Sequence, residues 1–410
     1  MWSEHLQREL ARIQAAQLTR RTRVAHSGTA PTQQVAGAQG CARELLMFCS
    51  NDYLGLAAHP AVAQALADGA QRWGGGSGAS PLVSGHTAAH AALGDWLAQA
   101  YAPHIPQARA LGFCTGYLAN IAALSALGDA GTLMCCERLN HASLIDGARL
   151  SRAERLTYPH ADLATLAQQL AQRRQGRRAL IVTDAVFSMD GDHAPLRELL
   201  ALAEAHDALL VVDDAHGFGV RGASGLGSLQ ALGLRSERLV LIGTLGKAAG
   251  LAGAFVVAHD AVAQYLLQTA RPYIFSTATP PALEHALLAS LRLVSGPEGQ
   301  RRRERLAARV AQLRQGLVAL LQRHPGLGWR LPAVHGPIQP LIVGGNAVAL
   351  RLAERLEQAG LRVPAIRPPT VPEGTARLRI TVCAEHTAEE VDRLLQALAL
   401  AAHESEEVLA

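Results

Sequence analysis

The sequence predicts an α/β protein with a mostly parallel central sheet and a smaller second α/β domain. Between about residues 108 and 258, short apolar runs alternate with longer amphipathic segments. The apolar runs are almost continuous in hydrophobic residues, which is typical of strands buried on both faces. Strand–helix–strand alternation of this kind indicates a parallel sheet covered by helices. The chain of 410 residues is also too long for one ordinary core, so two compact domains are expected.

The first region contains five predicted strands, with helices predicted over 162–175 and 195–206. The strands are ARALGFCTG, TLMCCE, ALIVTDAVF, ALLVVDDAH and LVLIGTLG. The second region begins near residue 282 with one or two long helices that end at Pro325-Gly326. It continues with the strands IQPLIVGG and ARLRITVC, a helix over 347–359 between them, and a last helix from about residue 387.

These elements predict three parts of the chain. An N-terminal helix and segment is expected over 1–50, a large domain over 51–285 and a small C-terminal domain over 286–410. The N-terminal segment places Leu6 and Leu10 on one face of an amphipathic helix and lacks the continuous apolar core of a secretory signal.

Composition and charge exclude several classes of protein. Hydrophobic residues make up 49% and charged residues 18% of the chain, which favours a folded globular protein over a disordered one. The formal net charge of +4 is small and the basic residues are scattered outside Arg301-Arg302-Arg303, so no nucleic-acid partner is expected. No run of about 18 apolar residues occurs, so no membrane span is expected either. A cytoplasmic protein is therefore expected.

The cysteines and histidines do not form a recognisable metal or disulfide pattern. The six cysteines include no C-x-x-C pair, and the histidines have no zinc-binding spacing with them. Reduced thiols and no metal site are expected.

Polar clusters follow several of the predicted strands. They are Gly116-Tyr117, Ser188-Met189-Asp190, Asp213-Asp214-Ala215-His216 and Thr244-Leu245-Gly246-Lys247. Taken alone, an aspartate that closes a strand is more often a helix cap, and a lone lysine there is more often solvated. Ligands of a parallel α/β sheet bind beyond the carboxyl ends of its strands, so these clusters should converge on one cleft.

This combination has the chemistry of a pyridoxal 5′-phosphate (PLP) site. A lysine in a partly dry pocket has a lowered pKa and forms a Schiff base with an aldehyde. A buried aspartate holds a pyridine nitrogen protonated, and groups at a helix start bind phosphate. Lys247, Asp213, Thr244 and the Gly116-Tyr117 turn supply these functions. The sequence therefore predicts that PLP is held on Lys247.

Six motifs, in order, resemble the α-oxoamine synthases, a family of fold-type-I PLP-dependent enzymes. The resemblance runs from about residue 44 to 395. The motifs are Ser50-Asn51-Asp52-Tyr53-Leu54-Gly55-Leu56, Gly76-Ser77-Gly78, Asn140-His141-Ala142-Ser143-Leu144, Phe187-Ser188-Met189-Asp190-Gly191-Asp192, Asp213-Asp214-Ala215-His216-Gly217 and Thr244-Leu245-Gly246-Lys247.

The resemblance implies a role for each residue around the cofactor. Lys247 carries PLP and moves protons at the substrate Cα, Asp213 pairs with the pyridinium nitrogen, and His216 hydrogen-bonds the phenolic oxygen. His141 stacks on the ring and touches the substrate. The remaining implied cofactor ligands are Ser188, Thr244, Gly116 and Tyr117.

The resemblance also implies substrate contacts. Asn51 and Arg367 are expected near an amino-acid carboxylate, and Thr370 near an acyl substrate. An N-terminal arginine is expected to contact substrate as well, and Arg20 is the chosen candidate although an ungapped match places Thr19 there.

The C-terminal segment indicates which reaction of the family to expect. Residues 365–372 (AIRPPTVP), 374–379 (GTARLR) and 338–344 (IQPLIVG) resemble members that condense L-alanine with a pimeloyl thioester, of coenzyme A or acyl-carrier protein, with loss of CO₂ in biotin biosynthesis. The family also implies a homodimer. Open alternatives are a glycine-using member, such as 2-amino-3-ketobutyrate ligase or 5-aminolevulinate synthase, and a non-catalytic subunit of a heterodimeric synthase. A nucleotide-binding module is disfavoured because no G-x-G-x-x-G follows a strand.

Overall fold

The computed structural model describes residues 1–36 and 42–409, and its helices and strands are numbered here in chain order. The strands are β1 (Thr32–Ala36), β2 (Ala42–Met47), β3 (Ala108–Phe113), β4 (Thr132–Glu137), β5 (Glu154–Tyr158), β6 (Arg178–Asp184), β7 (Ala208–Asp213), β8 (Leu239–Thr244), β9 (Ala254–His259), β10 (Ile338–Gly344), β11 (Leu361–Arg362), β12 (Ala365–Ile366) and β13 (Ala376–Thr381). The helices are α1 (Trp2–Ala15), α2 (Pro60–Trp73), α3 (Ala88–Tyr101), α4 (Gly116–Leu127), α5 (Ala142–Leu150), α6 (Leu163–Ala171), α7 (Leu196–Ala205), α8 (Ser228–Leu232), α9 (Asp260–Thr269), α10 (Arg271–Phe275), α11 (Pro281–Ser295), α12 (Pro297–Arg323), α13 (Asn346–Gln358) and α14 (Ala388–Leu409).

The chain forms two compact units. Unit 1 comprises Met1–Asn51, Met189–Gly191 and Glu304–Ala410, and unit 2 comprises Asp52–Ser188 and Asp192–Arg303. The last boundary falls inside α12. Among the described residues, no helix is both long and apolar enough to cross a membrane.

Unit 2 is built around a seven-stranded sheet in the order β3-β9-β8-β7-β6-β4-β5. β9 is antiparallel to β3 and β8, whereas the pairs from β8 through β5 are parallel. The predicted mostly parallel sheet is therefore confirmed.

The central strands of unit 2 are buried on both faces, as their continuous apolar sequences predict. Along β7, Val211 packs in one hydrophobic cluster while Leu210 and Val212 pack in another, because alternate side chains of a strand point to opposite faces. Helices cover each face, and α7 lies against β7 while α4 lies against β8. This double burial fixes the register of the strands and therefore the positions of the residues at their ends.

Unit 1 contains two three-stranded sheets, in the orders β1-β2-β11 and β10-β13-β12. α13 packs against β10, β12 and β13, and against α14. α1 has the predicted amphipathic pattern, and its apolar face, with Leu6 53% and Leu10 63% exposed, is not covered by the described residues. Unit 1 therefore combines strands and helices, and it is the smaller of the two units.

Candidate functional site

Lys247 lies just beyond the carboxyl end of β8, beside a buried hydrogen-bond chain. Its Nζ is 2.8 Å from His216 Nε2, and His216 Nδ1 is 2.5 Å from the hydroxyl of Tyr53. His216 and Tyr53 are buried. Opposite a protonated lysine, which only donates, His216 accepts at Nε2 and carries its own proton at Nδ1, toward Tyr53. The imidazole thereby orients the lysine amine.

Lys247 is also the only lysine in the sequence. All the other residues counted together as Lys and Arg are arginines. Arginine remains protonated in proteins, so it does not serve as a nucleophilic amine or give up its proton at neutral pH. A single lysine, half-buried and placed against a histidine, fits a site whose chemistry needs an amine that deprotonates.

Asp213 ends the neighbouring strand, β7, and its carboxylate is held by two N–H donors. Asn120 Nδ2 donates to one oxygen at 2.6 Å, and the Ala215 backbone N–H donates to the other at 3.0 Å. Asn120 Nδ2 also lies 2.7 Å from Ser143 Oγ. The two hydrogen bonds fix the direction of the carboxylate.

His141 caps the N-terminus of α5 and is positioned by Asp184, the last residue of β6. The His141 backbone N–H donates to Asp184 Oδ2 at 2.7 Å, and its Nδ1 lies 2.7 Å from Ser143 Oγ. The residue keeps exposed surface, and its pKa is lowered, chiefly because its surroundings desolvate the charged form of the ring. Asp213 opposes this shift and Lys247 adds to it. A neutral imidazole with an open face is available to lie against a flat ligand.

Two carboxyl groups lie side by side at this edge of the sheet. Asp184 on β6 is in register with Asp213 on β7. Burial raises the pKa of Asp184 well above its ordinary value, and the charge of Asp213 raises it further. The neutral form of Asp184 is therefore favoured at this edge of the sheet.

The N-terminus of α4 and the hydroxyl of Thr244 lie close together. Gly116 is the first residue of α4, and a Cβ added there would meet Thr244 at 3.7 Å. Thr115 caps the helix by accepting the Leu118 N–H at 3.2 Å. The Tyr117 hydroxyl donates to Asp146, and the Tyr117 ring stands edge-on to His141 with 6.4 Å between the centroids. The free N–H groups and positive dipole end of such a helix favour a phosphate.

The residues of unit 2 fit PLP. An amine, an anchored carboxylate, a buried histidine and a helix N-terminus match the aldehyde, ring nitrogen, phenolic oxygen and phosphate of that cofactor. Of the expected cofactor ligands, Ser188 is half-buried just beyond β6, at the same edge of the sheet. Among the described residues, no group of three or more His, Cys, Asp or Glu side chains is arranged to hold a metal ion.

The four expected substrate residues outside this cluster all lie in unit 1. Asn51 Oδ1 accepts hydrogen bonds from Arg379, whose Nη1 and Nη2 are 3.4 and 3.3 Å away. Arg367 donates to the Gln17 carbonyl, and its pKa is lowered by burial and by the nearby charge of Arg20. Arg20 and Thr370 are exposed, and the Thr370 N–H donates to Arg367 O at 3.1 Å.

Sequence reasoning missed Arg379. Its side chain is buried and also donates to Thr381 Oγ1 at 3.2 Å. The signal was present, because Arg379 belongs to the predicted strand ARLRITVC, in which charged residues alternate with apolar ones. An arginine within a buried strand requires polar partners, and Asn51 is one of them.

A family model described as aminotransferase class I and II matches residues 43–398. The chain belongs to this family. An 8-amino-7-oxononanoate synthase from Cupriavidus pinatubonensis is 60% identical over 400 residues, which cover 97% of each chain. Another from Leptothrix cholodnii is 58% identical and covers 98% of this chain and 100% of its own length.

Solved structures of enzymes with related folds agree with this assignment to the family. A lysine-to-alanine variant of serine palmitoyltransferase from S. paucimobilis, with a bound PLP–myriocin aldimine, is 28% identical, with a TM-score of 0.87 over 98% of this chain and 97% of that one. The 8-amino-7-oxononanoate synthase from Francisella tularensis is also 28% identical, with a TM-score of 0.71 over 89% of this chain and 99% of that one.

Proposed function

We propose that the chain is a PLP-dependent acyltransferase that catalyses the 8-amino-7-oxononanoate synthase reaction of biotin biosynthesis. The reaction condenses L-alanine with a pimeloyl thioester of coenzyme A or acyl-carrier protein, and it releases CO₂ and the thiol. The observation that carries the proposal is the sole lysine, Lys247, with Nζ 2.8 Å from the buried His216 at a strand end beside Asp213. Curated relatives 58–60% identical along almost the whole chain bear that name.

When bound, PLP supplies an aldehyde that takes up an amine and a protonated ring that accepts an electron pair from the substrate Cα. In this proposal Lys247 holds the cofactor and then removes and returns the proton at that Cα. His216, with Nε2 2.8 Å from Nζ, orients the lysine and is assigned the hydrogen bond to the phenolic oxygen of the cofactor. Asp213, anchored by Asn120 and Ala215, holds the proton on the ring nitrogen.

The remaining residues of unit 2 bind and orient the cofactor. Thr244, Gly116 and Tyr117 bind the phosphate at the start of α4, where N–H groups are free to donate. Ser188 binds a second cofactor oxygen. The open face of His141 lies against the ring and contacts the substrate, and Asp184 fixes the start of the helix that carries it.

Unit 1 supplies the proposed substrate contacts. We assign the alanine carboxylate to Asn51 and Arg379, because a buried guanidinium already hydrogen-bonded to an amide oxygen is a rigid, planar anion site. Arg367 is the alternative for that carboxylate. Arg20 and Thr370 are proposed to meet the acyl substrate. A homodimer acting in the cytoplasm completes the proposal.

The presence of one lysine makes the cofactor assignment testable at a single residue. The purified protein should be yellow, and sodium borohydride should fix the cofactor covalently on the one peptide that contains Lys247, as read by mass spectrometry. Lys247→Ala should abolish alanine-dependent thiol release, whereas Lys247→Arg, which keeps the charge but not the reactive amine, should be equally inactive. Full turnover by Lys247→Ala contradicts the assignment.

The substrate assignment is tested with a panel of donors and acceptors. L-alanine, glycine and L-serine are each combined with pimeloyl-, acetyl-, succinyl- and palmitoyl-CoA, and thiol release is measured. Turnover should be highest with alanine and the pimeloyl thioester. A preference for glycine would instead identify a glycine-using member of the family, and no turnover with any pair would indicate a non-catalytic subunit.

A further inference from the structure

A histidine with two carboxylate partners lies at the same edge of the sheet as Lys247 and Asp213. His160 follows β5, with Nε2 2.7 Å from Asp192 Oδ2 and Nδ1 3.0 Å from Glu137 Oε1. Carboxylates only accept, so both ring nitrogens donate and the ring is an imidazolium. The hydrogen bonds to Asp192 and Glu137 raise the pKa of His160 to about 10, so this charge is present at neutral pH.

One of the two partners, Glu137, is hydrogen-bonded to the loop that leads to His141. Glu137 is the last residue of β4, and its side chain is almost fully buried. Its second carboxylate oxygen accepts the Leu139 N–H at 2.6 Å, and its backbone carbonyl accepts the Asn140 N–H at 3.3 Å. The position of Glu137 therefore sets the path of the chain into the start of α5, where His141 lies.

The other partner, Asp192, closes the turn that carries Ser188. The Phe187 N–H donates to the Asp192 carbonyl at 3.0 Å, so these two residues bracket Ser188. The Phe187 ring also stands edge-on against the His160 ring, with 4.7 Å between the centroids and 84° between the planes. His160 thus contacts this turn through both a charged and an aromatic group.

We propose that His160 is a positioning residue of the cofactor site, which fixes the loops carrying His141 and Ser188 by bridging Glu137 and Asp192. β4 lies between β5 and β6 in the sheet, so the three chain segments meet at one edge. The imidazolium offsets the repulsion between two carboxylates that otherwise push the loops apart. This inference rests on the proposed function, because His141 and Ser188 matter only if PLP binds there.

The test measures PLP binding separately from activity and from folding. Apoprotein is titrated with PLP, the dissociation constant is read from visible absorbance, and the circular dichroism of the bound cofactor reports its orientation. The variants are His160→Gln, Asp192→Asn and the double variant. His324→Gln is the matched control, because His324 Nδ1 pairs with Glu406 Oε2 at 2.8 Å within unit 1. Thermal unfolding of each apoprotein is recorded alongside.

We expect His160→Gln and Asp192→Asn each to raise the dissociation constant about tenfold, which corresponds to about 1.4 kcal/mol, and to weaken the cofactor circular dichroism. The dissociation constant of the double variant should be no higher than that of either single variant, because the two substitutions break the same bridge. His324→Gln should lower the unfolding temperature without changing PLP binding. If His160→Gln does not fold, Asp192→Asn alone decides the question, since Asp192 is the more exposed partner.

An unchanged dissociation constant in the folded single variants, or strictly additive losses of PLP affinity in the double variant, overturns the role of His160. Neither result affects the proposed function. A wild-type protein that does not bind PLP overturns the proposed function and this inference together. The two failures are therefore distinguishable in the same titration.

Discussion

The proposed cofactor residues of unit 2 and the proposed substrate residues of unit 1 are held in different ways. Asp213 and His216 are buried, and together with Lys247 they lie at or just beyond strand ends and are anchored by hydrogen bonds of 2.5–3.0 Å. By contrast, Arg20 and Thr370 are exposed and lie outside any strand or helix. The register of the sheet fixes the first group, whereas loop conformation and side-chain contacts place the second.

This contrast predicts where substitutions are most damaging. In the strand-end cluster the side chains are hydrogen-bonded in partly or fully buried surroundings, where a change of charge is costly. Exposed side chains in loops adjust, and solvent screens their charges. Effects on turnover should therefore fall steeply from unit 2 to the exposed residues of unit 1.

The largest effect is expected for Asp213→Asn. The substitution keeps the shape of the side chain but removes the negative charge that holds a proton on the ring nitrogen. We expect kcat to fall at least about a hundredfold, which corresponds to about 2.7 kcal/mol in the barrier. Steady-state thiol release and the absorbance of the bound cofactor measure this.

The control for Asp213→Asn is the adjacent Asp214→Asn. Asp214 accepts hydrogen bonds from the Ser228 N–H at 2.5 Å and the Ser228 hydroxyl at 2.7 Å, and burial raises its pKa to about 7. Its carboxyl is therefore already partly neutral near pH 7, and kcat should stay within about threefold of wild type. Equal losses in the two variants would mean that burial of a charge, not contact with the cofactor, explains both.

The strands of the seven-stranded sheet show which elements can be predicted from the sequence. β3, β4, β6, β7 and β8 were predicted because their sequences are apolar, whereas β5 (Glu154–Tyr158, ERLTY) was not. β5 is an edge strand with one neighbour, so its exposed residues are polar and its pattern is weak. β9 was not predicted either. Its sequence is apolar, but it pairs antiparallel to its neighbours, at the point where the alternation of strands and helices ends. The predicted domain boundaries at 50/51 and 285/286 stay a prediction.

The same reasoning explains what was missed in the site. Residues at or just beyond the end of a predicted strand, such as Asp213 and Lys247, are recognisable because the carboxyl ends of parallel strands lie at the same edge of the sheet. His160 follows a strand that was not predicted, so nothing in the local sequence marked it. The pairing of Asn51 with Arg379 joins positions 328 residues apart, and only the folded chain reveals it.

Arg379→Lys is expected to have an intermediate effect, confined to alanine. Lysine keeps the charge but lacks the planar fork that binds a carboxylate through two parallel hydrogen bonds. We expect KM for alanine to rise about tenfold to a hundredfold, with a smaller change in kcat, at a fixed concentration of pimeloyl-CoA. The control is Arg362→Lys, because Arg362 pairs with Glu357 at 2.8 Å and that contact survives as a simple ion pair. A rise in KM for the thioester but not for alanine would refute the assignment.

The smallest effect is expected for Arg367→Ala, and it separates the two arginines that compete for the alanine carboxylate. Arg367 lies in a loop, donates to the Gln17 carbonyl and is near the like charge of Arg20, and it is only partly buried. Charge interactions of partly exposed groups are worth about 0.2–1 kcal/mol, so KM should rise no more than about fivefold. The increase in KM should also be smaller at high salt than at low salt, because salt screens the charge of an exposed side chain. The same screening acts much less on the buried Arg379. A salt-independent rise in KM for alanine larger than that of Arg379→Lys would reverse the two roles, and it would mean that a loop, not the buried strand β13, holds the amino-acid carboxylate.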